Sequence, residues 1–224
     1  MEINGYTKLA AVVANPIKHS LSPFIHNLAF DHVGENGVYL AFETPEADLG
    51  SVIESIKTLD MYGVNLSMPY KEAAVPYMDE LSEVAKLTGA INTIVNRDGK
   101  LFGTSTDGAG FFKSLKHFKV KGSAITVIGA GGAASAIIIS LALAGAKEIV
   151  VYNRSDKPFI KELNEKLDCP ITLKKIDQES IKEDLKDTYL LVNTTSVGMA
   201  PHPEGCIIES ADMLPDGLKV ADII

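Results

Sequence analysis

Residues 124–146 read AITVIGAGGAASAIIISLALAGA, 23 positions without a charged side chain. Such a run suits either a membrane span or a buried strand and helix joined by a turn. Its internal order separates the two. Ile125, Thr126, Val127 and Ile128 are β-branched and suit a strand buried in a parallel sheet. Gly129, Gly131 and Gly132 then interrupt the apolar pattern before it resumes. The reading is a buried strand, a glycine turn and a helix packed on a sheet, in a soluble chain with no membrane partner.

The turn is Gly129-Ala130-Gly131-Gly132-Ala133-Ala134, of the form GxGxxA. Between a strand and a helix this form lets backbone amides approach a pyrophosphate closely while the chain turns sharply. The helix N-terminus adds unpaired N–H donors and a favourable positive potential. A tight packing turn also uses these glycines, so it is the strand–turn–helix context that favours a dinucleotide site. The next expected strand, Glu148–Tyr152, leads into Asn153-Arg154-Ser155-Asp156-Lys157. A cofactor without a 2′-phosphate usually meets an acid about 20 positions past the glycines. No acid stands at that strand tip. Arg154, Ser155 and Lys157 instead offer charge-assisted and hydroxyl hydrogen bonds to a phosphate, with Asp156 among them. The expected cofactor is NADP, with NAD possible.

Outward from this unit, strand-like and helix-like segments alternate in both directions. Downstream, strands are expected at 148–152, 171–175, 188–193 and 218–223, and helices at 131–144, 158–167 and 178–185. Upstream, strands are expected at 8–14, 38–42 and 63–66, with helices at 46–59, 71–77 and 82–87. Another helix opens at Ser22-Pro23, where Ser22 can cap and Pro23 suits the first turn. Segments 91–96 and 100–103 form a hairpin about Asp98-Gly99. The fold class is α/β: two doubly wound α/β domains with an interdomain cleft. The first domain covers 1–103, and a Rossmann-type NADP-binding domain covers 104–224, its first segment, 104–122, making the connection.

Composition agrees. A chain of 224 residues with 46% hydrophobic and 22% charged residues excludes disorder and suits one large domain or two small ones. With 21 basic and 29 acidic residues the net charge is −8, which argues against nucleic acid or an anionic membrane as partner. Cys169 and Cys206 are far apart, so neither a disulfide framework nor a metal site is expected, as in a reducing cytoplasm. The apolar run 9–14 is too short for a signal peptide.

The first half holds further polar clusters at expected strand ends or helix starts: His19–Pro23, Asn65–Lys71, Ala90–Thr93 and Ser105–Gly108. Such rims bind ligands in α/β folds. Singly, Ser22 is as well a helix cap, Lys71 a solvated side chain, Asn92 a turn residue and Asp107 an N-cap. Spacing alone does not join them.

In order, the segments resemble the shikimate dehydrogenase family. The resemblance rests on Ser20-Leu21-Ser22-Pro23, Asn65-Leu66-Ser67-Met68-Pro69-Tyr70-Lys71, Gly89-Ala90-Ile91-Asn92-Thr93 and Thr106-Asp107-Gly108. The glycine turn, Asn153-Arg154-Ser155 and Asn193-Thr194-Thr195-Ser196-Val197-Gly198 follow in the family's order. It implies NADP-dependent, reversible reduction of 3-dehydroshikimate to shikimate, a step toward chorismate and the aromatic amino acids. By this resemblance Lys71 is the catalytic general acid/base, with Asp107 as its partner. Ser20 and Ser22 hold the substrate carboxylate, while Ser67, Asn92 and Asp107 read the ring hydroxyls. Glu83, Thr194, Thr195, Ser196 and Ile223 border the cofactor, together with the glycine turn. The expected protein is a cytoplasmic monomer or homodimer. A relative that takes quinate or NAD, or a non-catalytic ligand-binding relative, remains the alternative.

Two departures stand out within the motifs: Ser67 where many members carry threonine, and Ser105 where asparagine is usual. The last residues, Val220-Ala221-Asp222-Ile223-Ile224, fall in what resembles a family strand. Members continue through a tyrosine-containing loop, a glycine-rich turn and a glutamine on a terminal helix. Roughly 50 further residues are therefore expected, the second domain being incomplete at its C-terminal end.

Overall fold

β-branched runs broken by glycine, proline and polar turns become strands almost where the pattern puts them. The structure, a computed structural model, describes residues 2–199 and 202–223. Contacts divide the chain into two units, Met1–Thr106 and Asp107–Ile224. The division falls three residues past the expected boundary, because β6 (Lys100–Thr104) belongs to the first sheet and Thr106 hydrogen-bonds within that unit.

The first unit contains, in order, β1 (Lys8–Ala14), α1 (Ser22–Val33), β2 (Gly37–Glu43), α2 (Leu49–Thr58), β3 (Gly63–Leu66), α3 (Tyr70–Ala73), β4 (Glu80–Leu81), α4 (Glu83–Thr88), β5 (Thr93–Arg97) and β6. Its sheet runs β2-β1-β3-β5-β6-β4. β1 pairs parallel with β2 and β3, whereas β5 pairs antiparallel with β3 and β6. β1 is buried on both faces. Ala11 and Val13 pack with Leu49, Ile53 and Ile56, and Ala10 and Val12 pack with Tyr39 on the other side. Arg97 faces Lys100 across a two-residue turn in which Asp98 and Gly99 have φ of 52° and 86°, the left-handed pair a tight hairpin requires.

Two local expectations are corrected. Ser22 is the first helical residue of α1 and caps nothing; Leu21 holds the cap position. The Ser20 hydroxyl takes over part of that role, accepting the Ser22 N–H at 3.2 Å. The expected helix 46–59 divides into a 3-10 turn, Glu46–Asp48, and α2.

The second unit contains α5 (Asp107–Ser114), β7 (Ala124–Ile128), α6 (Gly132–Leu143), β8 (Glu148–Asn153), α7 (Pro158–Lys166), β9 (Ile171–Lys175), α8 (Gln178–Leu185), β10 (Leu190–Asn193) and β11 (Lys219–Asp222). Its sheet is parallel throughout, in the order β11-β10-β7-β8-β9. β7 lies at the centre, with Ile125, Thr126, Val127 and Ile128 essentially unexposed. α6 is apolar and buried around most of its circumference, and α5 presses close to it. A side chain at Gly108 would lie 2.1 Å from the Ala136 carbonyl oxygen, so only glycine fits there. The charge-free run is thus a strand and a 12-residue helix, and no helix among the described residues is long and apolar enough to cross a membrane.

Candidate functional site

In the second unit the sheet order reverses at β7: β8 and β9 lie to one side, β10 and β11 to the other. Loops leaving adjacent strands with opposite crossovers separate there and open a crevice at the carboxyl ends. A cleft of about 380 Å³ lies at that point. Gly129, Ala130 and Gly131 line it from β7, Asn153, Arg154, Ser155 and Lys157 from β8, and Thr194, Thr195 and Ser196 from β10.

Short-range bonds fix each wall. Gly129 turns with φ of 106° while its N–H donates to the Tyr152 carbonyl at 2.8 Å. Thr194 donates both its N–H and its hydroxyl to the Ile128 carbonyl, each at 2.8 Å. Asn193 accepts the Thr195 N–H and hydroxyl at 3.0 and 2.8 Å. The Asn153 amide donates to the Ser155 carbonyl at 2.8 Å and closes the loop after β8. Gly131 holds the cap position of α6 without a side-chain cap, and the first turn of that helix carries no acid. Its opening N–H groups therefore suit an anion.

Among the described residues lining the cleft none is acidic, while Arg154 and Lys157 are basic. That donor set fits a dinucleotide carrying an additional phosphate. Gly132 and Ala133 open α6 and are exposed outside the lining, Ile223 follows β11 outside it, and Glu83 opens α4 in the first unit. Ile176 and Ile207, which sequence reading missed, and Val197, quoted there only within a motif, supply an apolar wall. Ile176 follows the β9 strand end and was findable by that rule; Ile207 lies in irregular chain with no local signal.

In the first unit Ser20 follows β1, Ser67 and Lys71 follow β3, and Asn92 precedes β5, so these four residues lie along one rim of the sheet. Ser20 lies in the loop after β1, its N–H donating to the Ile17 carbonyl at 2.9 Å. Ser67 follows β3 and donates its N–H to the Val13 carbonyl of β1 at 3.1 Å. Lys71 is the second residue of α3, half-buried, and its carbonyl accepts the Ile91 N–H at 2.8 Å. Asn92 is buried immediately before β5; its carbonyl accepts the Leu66 N–H at 2.8 Å. Asp107 is the first residue of α5, directly after Thr106, which donates its N–H to the Asn92 Oδ1 at 2.9 Å. Tyr39, Asn65, Thr93 and Thr106, none of them singled out from sequence as site residues, share the hydrogen bonding around Asn92.

The chain is similar to known proteins over its whole length. Residues 12–94 match the shikimate dehydrogenase substrate binding domain, and residues 113–200 match the shikimate/quinate 5-dehydrogenase model. A shikimate dehydrogenase (NADP(+)) of Lactococcus lactis subsp. cremoris is 51% identical over all of this chain and 81% of its own length. The shikimate 5-dehydrogenase of Listeria monocytogenes, solved with shikimate and NAD, superposes with a TM-score of 0.96 at 41% identity, over all of this chain and 81% of that one. The Thermus thermophilus enzyme, solved with NADP(H) and shikimate, gives a TM-score of 0.78 at 34% identity, over 96% of this chain and 78% of that one. With its glycine-turn cleft, its polar rim and these relatives, the chain belongs to the shikimate dehydrogenase family.

Proposed function

We propose that the chain catalyses the reversible, NADP-dependent reduction of 3-dehydroshikimate to shikimate. The observation that carries this reading is the cleft at the β7/β10 reversal, which offers basic but no acidic lining among the described residues and meets an uncapped helix start. Gly129, Ala130, Gly131 and the start of α6 would hold a pyrophosphate, and Arg154, Ser155 and Lys157 the 2′-phosphate. Thr194, Thr195 and Ser196 border the same cleft; Glu83, Gly132, Ala133 and Ile223 are assigned by family likeness. When bound, the nicotinamide cofactor supplies or removes the hydride.

The chain's own residues manage charge and position. Reduction of a ketone leaves negative charge growing on its oxygen, and the Lys71 ammonium supplies the proton there, taking it back in the reverse direction. Asp107 is the carboxylate assigned to keep Lys71 oriented. Ser20 and Ser22 donate hydroxyl hydrogen bonds to the substrate carboxylate, aided by the N-terminal potential of α1. Ser67, Asn92 and Asp107 read the ring hydroxyls, where a missing partner would strand a buried polar group. The enzyme would act in the cytoplasm, as a monomer or homodimer.

The test is nicotinamide absorbance with shikimate or quinate and NADP+ or NAD+. Shikimate oxidation with NADP+ is expected to dominate. Lys71→Ala is expected to lower turnover roughly 10²–10⁴-fold with substrate binding largely kept. Preference for quinate with NAD+, or undiminished turnover in the variant, would refute the assignment.

A further inference from the structure

The apolar wall of the cleft in the second unit joins two stretches of chain that meet only in the tertiary structure. Ile176 comes directly off β9, and Ile207 comes from irregular chain after β10. The sheet sets the lateral order: the glycine turn leaves β7, Arg154 leaves β8, and Ile176 leaves β9 beyond it. In NADP the 2′-phosphate sits on the adenosine ribose, so an apolar wall beside Arg154 and Lys157 suits the adenine.

Packing and one hydrogen bond hold Ile207 in place. Its side chain packs on the apolar cluster that includes Tyr152, Ile181 and Leu185. Its carbonyl accepts the Gln178 Nε2 at 3.2 Å, and among the described residues no other hydrogen bond reaches positions 206–209. A carbonyl can only accept, so Nε2 must face it and Oε1 must point away. That Oε1 is buried and takes no hydrogen bond, alone in this among the buried side-chain nitrogens and oxygens of the described residues. A buried acceptor left unsatisfied is costly, and turning the amide over is the usual relief. Here turning it would set Oε1 against the Ile207 carbonyl and remove the one donor that segment 206–209 has. The amide is held for its Nε2 end. Gln178 is also the first residue of α8, two positions after Ile176. One short stretch therefore supplies both halves of the wall, Ile176 by its own side chain and Ile207 through the Gln178 amide.

We propose that Gln178 is a positioning residue for the cofactor: its amide holds the Ile207 carbonyl so that the Ile207 side chain completes, with Ile176, the apolar wall at the adenine end of the cleft. The proposal rests on the reading of that cleft as an NADP site. Four positions along the same helix, Lys182 makes an exposed ion pair with Asp212 at 2.7 Å. That tie grips the chain beyond the cleft lining and serves as a control.

Gln178→Met tests this on the 224-residue chain. Methionine keeps the length of the side chain and removes the unpartnered Oε1 together with the donor, so Tm is expected to stay within about 3 °C. Two readouts are taken: amide hydrogen exchange of the peptide spanning 206–209, and titration with 2′,5′-ADP, which carries only the adenine and 2′-phosphate end of NADP. Exchange across 206–209 is expected to quicken, and affinity for 2′,5′-ADP to fall roughly three- to tenfold, one hydrogen bond's worth. The same factor should appear in the KM for NADP+, with kcat and the KM for shikimate within about twofold. Lys182→Ala should leave 2′,5′-ADP affinity within about twofold. Unaltered exchange at 206–209, or unaltered 2′,5′-ADP affinity, in folded Gln178→Met protein would overturn the proposal. So would an equal loss of affinity in Lys182→Ala. An unsubstituted chain that binds 2′,5′-ADP but does not oxidise shikimate would overturn the proposed function alone, and the Gln178→Met readouts would still decide this role. One that binds no 2′,5′-ADP would overturn the cofactor reading and this role together.

Discussion

Two glycines of the same turn are predicted to fail in opposite ways. Gly129 has φ of 106°, and a Cβ there would sit 2.5 Å from the Thr194 hydroxyl oxygen and 3.2 Å from Thr195 Cγ2. That hydroxyl is engaged at 2.8 Å with the Ile128 carbonyl, so it cannot yield without losing its partner. Backbone strain of about 1–3 kcal/mol and overpacking of about 1–3 kcal/mol give a loss near 3 kcal/mol for Gly129→Ala. Its Tm should fall by roughly 6–12 °C. Gly131 has φ −86° and ψ −172°, allowed for alanine, and its Cβ would meet nothing within 4 Å. Gly131→Ala should therefore keep its Tm or gain from about 0.4–1 kcal/mol of reduced unfolded-state entropy. The added methyl enters the cleft where, in the proposed function, a pyrophosphate would approach backbone amides, so NADP+ affinity should fall about 10–100-fold. Calorimetric unfolding and NADP+ titration of both variants separate the two effects. Equal Tm losses, or unaltered NADP+ affinity in Gly131→Ala, would refute the division of labour.

Arg154→Ala should weaken NADP+ binding by about 10–100-fold, the worth of a charge-assisted hydrogen bond, and leave NAD+ affinity unaltered; paired titrations with the two cofactors check this. The buried Tyr152 hydroxyl donates to Asp184 Oδ2 at 2.6 Å, beside Lys174 Nζ at 2.7 Å from the same atom. Tyr152→Phe removes one donor from that partly buried carboxylate and should cost about 1–3 kcal/mol in urea unfolding at constant m-value. Burial raises Tyr39 to about 12 and pushes Tyr152 higher than usual by burial and by Asp184, against 10.0 for a free phenol. Both contributions are complete below pH 10 and are lost as pH climbs toward the folded values, because the unfolded chain releases its protons first. Stability measured across that alkaline range should fall more gently in Tyr39→Phe than in the unsubstituted chain; identical slopes would contradict the burial argument.

The sequence by itself determined the elements whose cause is local. Strands 8–14, 63–66, 124–128 and 171–175 coincide with the observed β1, β3, β7 and β9, because short segments carrying apolar or β-branched residues between turn residues favour extended backbone. The Asp98-Gly99 hairpin was legible for the same reason, and the glycine turn marked one wall of the β7 cleft before any sheet order was known. The family likeness named most of the lining, since its motifs sit at strand ends. What only the tertiary structure decided depends on partners far apart in the chain. The strand order places Thr194 against Gly129, 65 positions away, and so makes one glycine a steric necessity and the other an open approach. Ser22 read as a helix cap from its neighbours alone, whereas the Ser20 hydroxyl and the turn of the chain moved the helix start. Tyr39 carried no signal at all: an aromatic in a strand reads as core. Its hydroxyl acquires direction only when pairing of β2, β1, β3 and β5 brings Asn65, Thr93 and Asn92 into one hydrogen-bonded line. Local sequence sets backbone preference, but the polarity of a buried network is fixed by which donors and acceptors the sheet assembles.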